Sequence, residues 1–297
     1  MLMKRLLISI LLIGSLSAQV FTDSWPGAAA GAGSGGAQVA VNQSMWAHSY
    51  NPAGLAFVDN FGGGFAYTNP GFYGFASLSM FTATMPINEK FGSLSLHGDM
   101  LRTKNGETVL SSENSLGITH AFHLIKDLRS SFSVGYSANL LLMDYGQSAG
   151  QSGDGSDGID LGSVAGLGLD LGIQASLRDR AWMGLTIKNI NAPQLGSSET
   201  ESTAPRKFVA GLGYMPYYGL TTSFQVEKMQ GFDAQYRMGL DYAINEWFNL
   251  RAGVSTYPSQ LTFGFGVKQS FFSVDYAYVS HPVLNGTHFF TVEITKP

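Results

Sequence analysis

A two-residue alternation of apolar and polar side chains runs through most of the chain after Asn60, and this pattern constrains the fold most. In the segment 234–244 the even positions carry Ala, Tyr, Met, Leu, Tyr and Ile, whereas the odd positions from 233 to 241 carry Asp, Gln, Arg, Gly and Asp. Because successive side chains of a strand point to opposite faces, the pattern predicts strands with one apolar and one polar face. The segments that repeat it most clearly are 167–177, 272–278 and 290–294.

The composition of the polar face separates a membrane barrel from a soluble β-sandwich, whose strands also alternate. The outer face of a sandwich would be rich in Lys and Glu, but here the polar positions are mostly Gly, Ser, Thr, Asn and Gln. Charged residues make up only 13% of the chain, against about 25% in soluble domains. A sheet whose outer face lies in lipid has all its backbone groups paired only when it closes into a barrel. We therefore expect an all-β transmembrane barrel with a partly wet lumen.

Fourteen segments have the length and alternation of tilted transmembrane strands. They are 61–69, 72–84, 91–101, 112–124, 131–143, 164–177, 181–190, 205–214, 220–229, 232–244, 247–256, 259–268, 271–280 and 286–296. An even number places both termini in the periplasm, where turns are short. The turns predicted on that side are 178–180, 245–246 and 269–270, and the long connections predicted on the other side are 102–111, 144–163 and 191–204. This separation supports a 14-stranded antiparallel barrel.

The N-terminal region has the pattern of an export signal followed by a small separate segment. Two basic residues precede an apolar run over 6–13 and small residues at 14–18, which predicts a secretory signal peptide over residues 1–18. Residues 19–60 are rich in Gly and Ala and too few to form a core of their own. They therefore predict a plug segment inside the lumen of a barrel formed by residues 61–297.

Several function classes are disfavoured by composition and spacing. The chain has no cysteine, so disulfides and thiolate metal sites are excluded, and its net charge of −4 disfavours nucleic-acid partners. The six histidines are scattered and no nucleophile, histidine and carboxylate form a local signature, so we expect no metal, no cofactor and no enzyme activity. The acidic loop 146–158 matches no calcium-loop spacing, which favours a solvated loop over an ion site.

A turn signal stands out within the predicted plug. Asn tolerates unusual backbone angles, Pro fixes φ and Gly accepts positive φ. The residues predicted to form the turn that docks the plug are Asn51, Pro52, Ala53 and Gly54. The other predicted plug contacts are Gly35, Gly36 and Trp46.

The inward face of the predicted barrel carries charges of both signs. Unpaired charges are costly in a crowded lumen, so we expect these residues to pair with one another and with the plug. The predicted lumenal charges are Asp99, Asp170, Arg178, Glu227, Asp233, Arg237, Asp241, Arg251, Asp275 and Glu293.

Three N-terminal motifs carry a resemblance to a known family. They are Gly-Ser-Gly-Gly-Ala-Gln-Val-Ala at 33–40, Trp46-Ala47, and Asn-Pro-Ala-Gly-Leu-Ala at 51–56. Together they resemble the opening of the PorV/PorQ family, outer-membrane barrels of the FadL superfamily. One departure is Asn42-Gln43-Ser44, which stands where that family usually carries an acidic pair.

The resemblance implies a FadL-like barrel in the bacterial outer membrane that is a structural or adaptor component of type IX protein secretion. Its expected partners are outer-membrane lipid, secretion-system proteins and exported cargo. The wider FadL superfamily implies an alternative, a channel for hydrophobic small molecules such as long-chain fatty acids, with the ligand in the lumen. The long connections lack a sustained apolar patch that would capture a lipid, which favours the first function.

The lengths of the connections generate a topological prediction. A protease site inserted after Asp154 should be cut on intact cells, because the long connections are expected outside the cell. A site inserted between Asn245 and Glu246 should be protected until the outer membrane is opened. Immunoblots of protease-treated cells would measure both, and the reverse pattern would overturn the orientation.

Overall fold

The structure, a computed structural model, describes residues 27–72, 74–105, 108–146, 148, 151, 157–195 and 202–296. In this part of the chain, fourteen strands close into one barrel and two more form a separate hairpin. In chain order the strands are β1 (Gly62–Thr68), β2 (Ala76–Asn88), β3 (Gly92–Asn105), β4 (Thr108–Lys126), β5 (Ser130–Asp144), β6 (Ser163–Leu177), β7 (Ala181–Lys188), the hairpin strands β8 (Gln194–Leu195) and β9 (Ser202–Thr203), then β10 (Lys207–Tyr217), β11 (Leu220–Met229), β12 (Gln235–Asn245), β13 (Phe248–Ser255), β14 (Gln260–Gln269), β15 (Phe272–Val279) and β16 (Thr287–Thr295).

Every barrel strand pairs antiparallel with its two neighbours. β7 pairs with β10 because the chain between them leaves the wall and forms the β8–β9 hairpin. The ring closes between β1 and β16, where Gly62 lies opposite Thr295 and Thr68 lies opposite Phe289. The predicted 14-stranded antiparallel barrel is therefore confirmed. The helical segments that the structure describes are all too short to cross a bilayer.

The two faces of the wall follow the predicted alternation. On β12, Tyr236, Met238 and Leu240 are exposed, whereas Arg237 between them is only 7% exposed. On β6, Leu171 is 45% exposed. Large apolar side chains thus cover the outer face of the barrel, as a lipid-facing wall requires.

Short helical turns precede the barrel. They are α1 (Ala29–Gly33), α2 (Ala47–Tyr50) and a 3-10 segment, Pro52–Phe57. Residues 27–58 are called the N-terminal segment below, and they carry no Asp, Glu, Lys or Arg. Residues 1–26, with the predicted signal peptide, lie outside the described residues.

The prediction of a long connection over 102–111 is wrong. β3 continues to Asn105 and β4 begins at Thr108, and these two residues face each other in the ladder. The polar residues Arg102, Thr103 and Lys104 hide this end of β3 from a hydropathy pattern, because a hairpin beyond the lipid needs no apolar outer face. On the same side of the barrel, hydrogen bonds continue the β5–β6 hairpin past its ends, from Tyr145 N to Gly162 O at 3.1 Å. Asp154 lies outside the described residues.

The outward position of Leu171 generates a stability prediction. Leu171→Arg should lower the free energy of unfolding of the lipid-embedded barrel by about 2–4 kcal/mol, because it places a charge on the lipid face. The matched control is Leu128→Arg in the fully exposed β4–β5 turn, which should change it by about 0.5 kcal/mol or less. Denaturant unfolding in lipid vesicles would measure both, and equal effects would contradict the assignment of a lipid face.

Candidate functional site

The N-terminal segment lies inside the ring of strands. Each of the fourteen barrel strands places at least one inward-facing residue against it, so the segment meets the wall on all sides. The contacting residues, from β1 to β16, are Gly64, Thr82, Ser93, Ala121, Gly135, Gln174, Gly184, Gly211, Gln225, Gly239, Gly253, Thr262, Ala277 and Thr291.

Side chains of the wall satisfy the backbone of this irregular segment. The amide oxygen of Gln225 accepts hydrogen bonds from the backbone N–H groups of Gln38 and Val39, at 3.1 and 3.0 Å. The amide of Gln174 donates to the carbonyl of Ala40 at 2.6 Å. Non-helical backbone at membrane depth requires such partners, because a buried N–H or C=O without one is costly. The polar face of the strands therefore supplies hydrogen-bond partners for the backbone of the segment.

Glycines let the segment approach the wall at backbone distance. Gly239 of β12 lies opposite Gly253 of β13 in the ladder, and a Cβ on Gly253 would overlap Gly35 of the segment. Gly35 has a φ of 68° and donates from its N–H to Thr262 Oγ1 at 3.0 Å. Gly36 next to it has a φ of 72°. A side chain at Gly35 or Gly36 would strain the backbone, and a side chain at Gly253 would overlap the backbone of the segment. Only Gly avoids both problems.

The predicted docking turn is buried and hydrogen-bonded to both the segment and the barrel wall. The side chain of Asn51, which is 0% exposed, accepts from Ala53 N at 3.1 Å and donates to Val39 O at 2.8 Å and Ile173 O at 2.9 Å. Pro52 begins the 3-10 segment that packs on β3 to β6. Gly54 does not adopt the positive φ suggested by the turn signal. Gly is needed there because the backbone of Asn42 lies so close that a Cβ would overlap Asn42 O.

Trp46 ties the segment to the opposite part of the wall. Its ring is 1% exposed, and its Nε1 donates to Glu293 Oε1 at 2.8 Å. The other carboxylate oxygen of Glu293 accepts from Ser273 Oγ at 3.1 Å. A Cβ on Gly64 of β1 would lie 2.8 Å from the Trp46 ring, so this glycine makes room for the indole.

The lumenal charges form closed networks on the side of the barrel built from β10 to β15. Arg251 contacts Asp241 at 2.6 Å and Asp275 at 2.5 Å. Glu227 lies 3.2 Å from Lys207 and 3.6 Å from Arg237. Paired and hydrogen-bonded charges avoid the penalty of an isolated buried ion.

Two of the predicted lumenal charges do not face the lumen. Arg178 is exposed in the tight turn after β6, and Asp233 is exposed in the connection between β11 and β12. Both continue the alternation of a neighbouring strand by one or two positions, but the strand ends before them. Alternation alone does not mark where a strand stops.

A polar cavity of about 180 Å³ lies between the N-terminal segment and the wall formed by β2 to β7 and β10. Asp170 borders it and accepts from Asn139 Nδ2 at 2.9 Å and from Asn189 N at 2.8 Å. Lys188 Nζ donates to the carbonyls of His48 at 3.2 Å and Ser49 at 2.6 Å.

His48, from the N-terminal segment, covers one side of this cavity. Its ring stacks on His97 of β3 with the centroids 3.9 Å apart. Burial, and then the neighbouring His97 and Lys188, lower the pKa of His48 well below its usual value. A neutral ring is thereby favoured in the stack.

Sequence reasoning missed the cavity residues His97 and Lys188. His97 shares the inward parity of Asp99 on β3, and Lys188 ends a strand whose inward position Gly184 touches the segment. These inward-facing positions in the strand alternation were the signal that could have identified both residues. Within the described residues, no three His, Asp or Glu side chains converge as a metal-ligand set.

Comparison with protein families decides which barrel this is. The model of the family described as type IX secretion system membrane protein PorP/SprF matches residues 46–293. The chain belongs to the PorP/SprF family. The type IX secretion part of the expected resemblance is thus supported, although the match does not name PorV/PorQ. No curated protein matches the chain.

Solved structures with the same fold are FadL-like barrels. A deletion mutant of the monoaromatic hydrocarbon channel TodX superposes with a TM-score of 0.63 at 13% identity, covering 91% of this chain and 98% of that one. The Pseudomonas putida toluene transporter TodX gives 0.60 at 12% identity, with coverage of 89% and 96%. A Pseudomonas aeruginosa FadL homologue gives 0.56 at 13% identity, with coverage of 91% and 98%. At such identities the likeness establishes the FadL-like fold alone.

The contact between Gly253 and Gly35 generates a prediction about the segment. Gly253→Ala should destabilise the protein by about 1–3 kcal/mol, because the added methyl overlaps backbone that has little room to move. It should also speed proteinase K cleavage within residues 27–58. Gly74→Ala is the matched control, since a Cβ there meets nothing within 4 Å. Equal cleavage rates in the two variants would mean that the glycine contact does not hold the segment.

Proposed function

We propose that this chain is a closed barrel of the bacterial outer membrane that serves type IX secretion as a structural or adaptor component. In this proposal residues 1–18 are a signal peptide, residues 19–60 are a plug and residues 61–297 are the barrel. The observation that carries the proposal is the N-terminal segment, which all fourteen strands contact. A lumen occupied in this way is poorly suited to free diffusion of solutes.

The plug is proposed to be a permanent part of the resting barrel. Its backbone bonds to Gln225 and Gln174, and its Trp46 bonds to Glu293. Removal of the segment would break these hydrogen bonds, each with a net worth of about 0.5–1.5 kcal/mol, and would expose the buried Trp46 ring to water. Both changes oppose spontaneous ejection.

An adaptor acts through surfaces outside the lipid. The β3–β4 and β5–β6 hairpins continue their pairing at the same end of the barrel, which gives that end a raised wall. We propose that secretion-system proteins, exported cargo or cargo-modifying enzymes dock at this end. The motifs shared with the PorV/PorQ family support the same role.

The polarity of the lumen argues against the alternative, a channel for hydrophobic small molecules. TodX is described as a hydrocarbon channel, but here the cavity beside the segment is bordered by Asp99, Glu113, Asp170 and Lys188. Moving an apolar molecule past these groups would strip them of water. Uptake of labelled toluene or fatty acid should therefore be the same in cells with and without this protein.

Planar-bilayer recordings test the plug. Full-length protein should be nearly silent, whereas deletion of residues 19–56 should give large, steady conductance, because the strands close among themselves without the segment. Gly54→Val, whose side chain would overlap Asn42 O, should open intermittently. Free conductance of the full-length protein would contradict the plug.

Secretion by complemented knockout cells tests the adaptor role separately. Cells that lack the protein should retain type IX cargo, and the wild-type chain should restore export. Normal export without the protein would contradict a role in secretion, whatever the bilayer recordings show.

A further inference from the structure

The polar cavity beside the N-terminal segment has features of a ligand site that neither plug nor adaptor function requires. It lies where β7 ends and β10 begins, because Lys188 is the last residue of β7 and Lys207 is the first of β10, and both border it. His48 and Ser49 of the segment also border it. A ligand in this cavity would therefore lie against the segment.

Five buried side-chain atoms on its border lack hydrogen-bond partners. Two are the ring nitrogens of His48 in the N-terminal segment, and the three of the wall are Asp99 Oδ1, Glu113 Oε2 and His97 Nδ1. Glu113 and His97 are 5% and 3% exposed, so little solvent reaches either side chain. Buried polar atoms normally have partners, and the exceptions need an explanation.

The hydrogen bonds around His97 make its free nitrogen an acceptor. Asn139 directs its Nδ2 donor to Asp170 Oδ2 at 2.9 Å, so its Oδ1 faces His97 Nε2 at 3.0 Å and must accept from it. In a neutral imidazole with a proton on Nε2, Nδ1 carries a lone pair and no hydrogen. With both carboxyl groups ionised, the three unpartnered wall atoms are thus acceptors.

Two of these acceptors, Asp99 and Glu113, are close neighbours on the inward face of β3 and β4, whereas His97 and Glu113 are four residues apart along the ladder. His97 and Asp99 are two residues apart on β3. In the ladder Asp99 lies opposite Ser115 and Leu101 lies opposite Glu113, which makes Asp99 and Glu113 diagonal neighbours. Diagonal neighbours lie about 7–8 Å apart, a gap that one small donor between two carboxylates can bridge.

Most of the donors of the positive groups around the cavity are already engaged. Lys188 Nζ donates to two carbonyls of the N-terminal segment, and Lys207 pairs with Glu227. The missing group is therefore a donor, and two carboxylates favour a cationic one. The lining also includes four apolar residues, Leu78, Met80, Leu101 and Leu141.

We propose that this cavity binds a primary ammonium group carried on a short alkyl stem. An ammonium has three N–H donors, two of which would serve Asp99 and Glu113, while the stem lies against the leucines and Met80. Within the described residues no metal-ligand set occurs, so an organic cation fits better than a metal ion. Such a group occurs in free alkylamines and at the end of a lysine side chain of an exported polypeptide.

The test is calorimetric titration of full-length protein in detergent with n-butylammonium. Binding should be measurable, and the neutral isostere 1-butanol should bind much more weakly. Glu113→Gln and Asp99→Asn should each weaken binding by about tenfold or more, as expected for loss of a charged hydrogen bond. Glu89→Gln, in the exposed β2–β3 turn, is the control and should bind as wild type.

Heat-modifiable gel mobility would verify that each variant folds. A second titrant, a lysine with its backbone amine and carboxyl groups blocked, separates the sources: binding of both titrants admits a polypeptide lysine, and binding of butylammonium alone restricts the site to free amines. Equal binding of butanol, unchanged binding by both carboxamide variants, or no binding to folded wild type would each overturn the proposal. In the last case the cavity holds water only.

Discussion

Backbone hydrogen bonding without water is the constraint on which the rest of this structure depends. In lipid, an unpaired N–H or C=O costs several kcal/mol, so the sheet has to close, as β1 and β16 do from Gly62 to Thr68. Closure at fourteen strands in turn fixes a lumen wider than a small barrel can fill with its own side chains. The N-terminal segment takes up this space, and the same constraint then applies to its irregular backbone.

The wall meets that second requirement in two ways. Long polar side chains such as Gln225 and Gln174 reach inward to carbonyl and amide groups of the segment. Elsewhere the wall carries Gly, and at Gly253 the segment contacts the strand backbone directly. The glycine content of the chain, 37 residues, is thus partly explained by where two backbones meet.

Much of the barrel could be predicted from the sequence, because each lipid-facing strand needs apolar residues at every second position. β11 was predicted with its observed bounds, 220–229. The hairpin at Asn105 and Thr108 could not be found in this way, since it lies where no lipid enforces the pattern. Arg178 and Asp233 were placed wrongly because the alternation runs on past strand ends. Partners that are distant in sequence, such as Trp46 and Glu293, depend on ring closure and register, which no local pattern encodes.

The lumen is divided into two parts with different polar chemistry. From β10 to β15, charges such as Arg251 and Asp275 satisfy one another, and the segment lies on glycines. From β3 to β6, Asp99 and Glu113 each retain an oxygen without a partner. Fully paired polar groups hold a structure in place, whereas unpaired ones are tolerated where something else completes them. Both parts hold the N-terminal segment, through contacts such as Gly253 with Gly35 and Asn51 with Ile173, and the second part also keeps acceptors without partners.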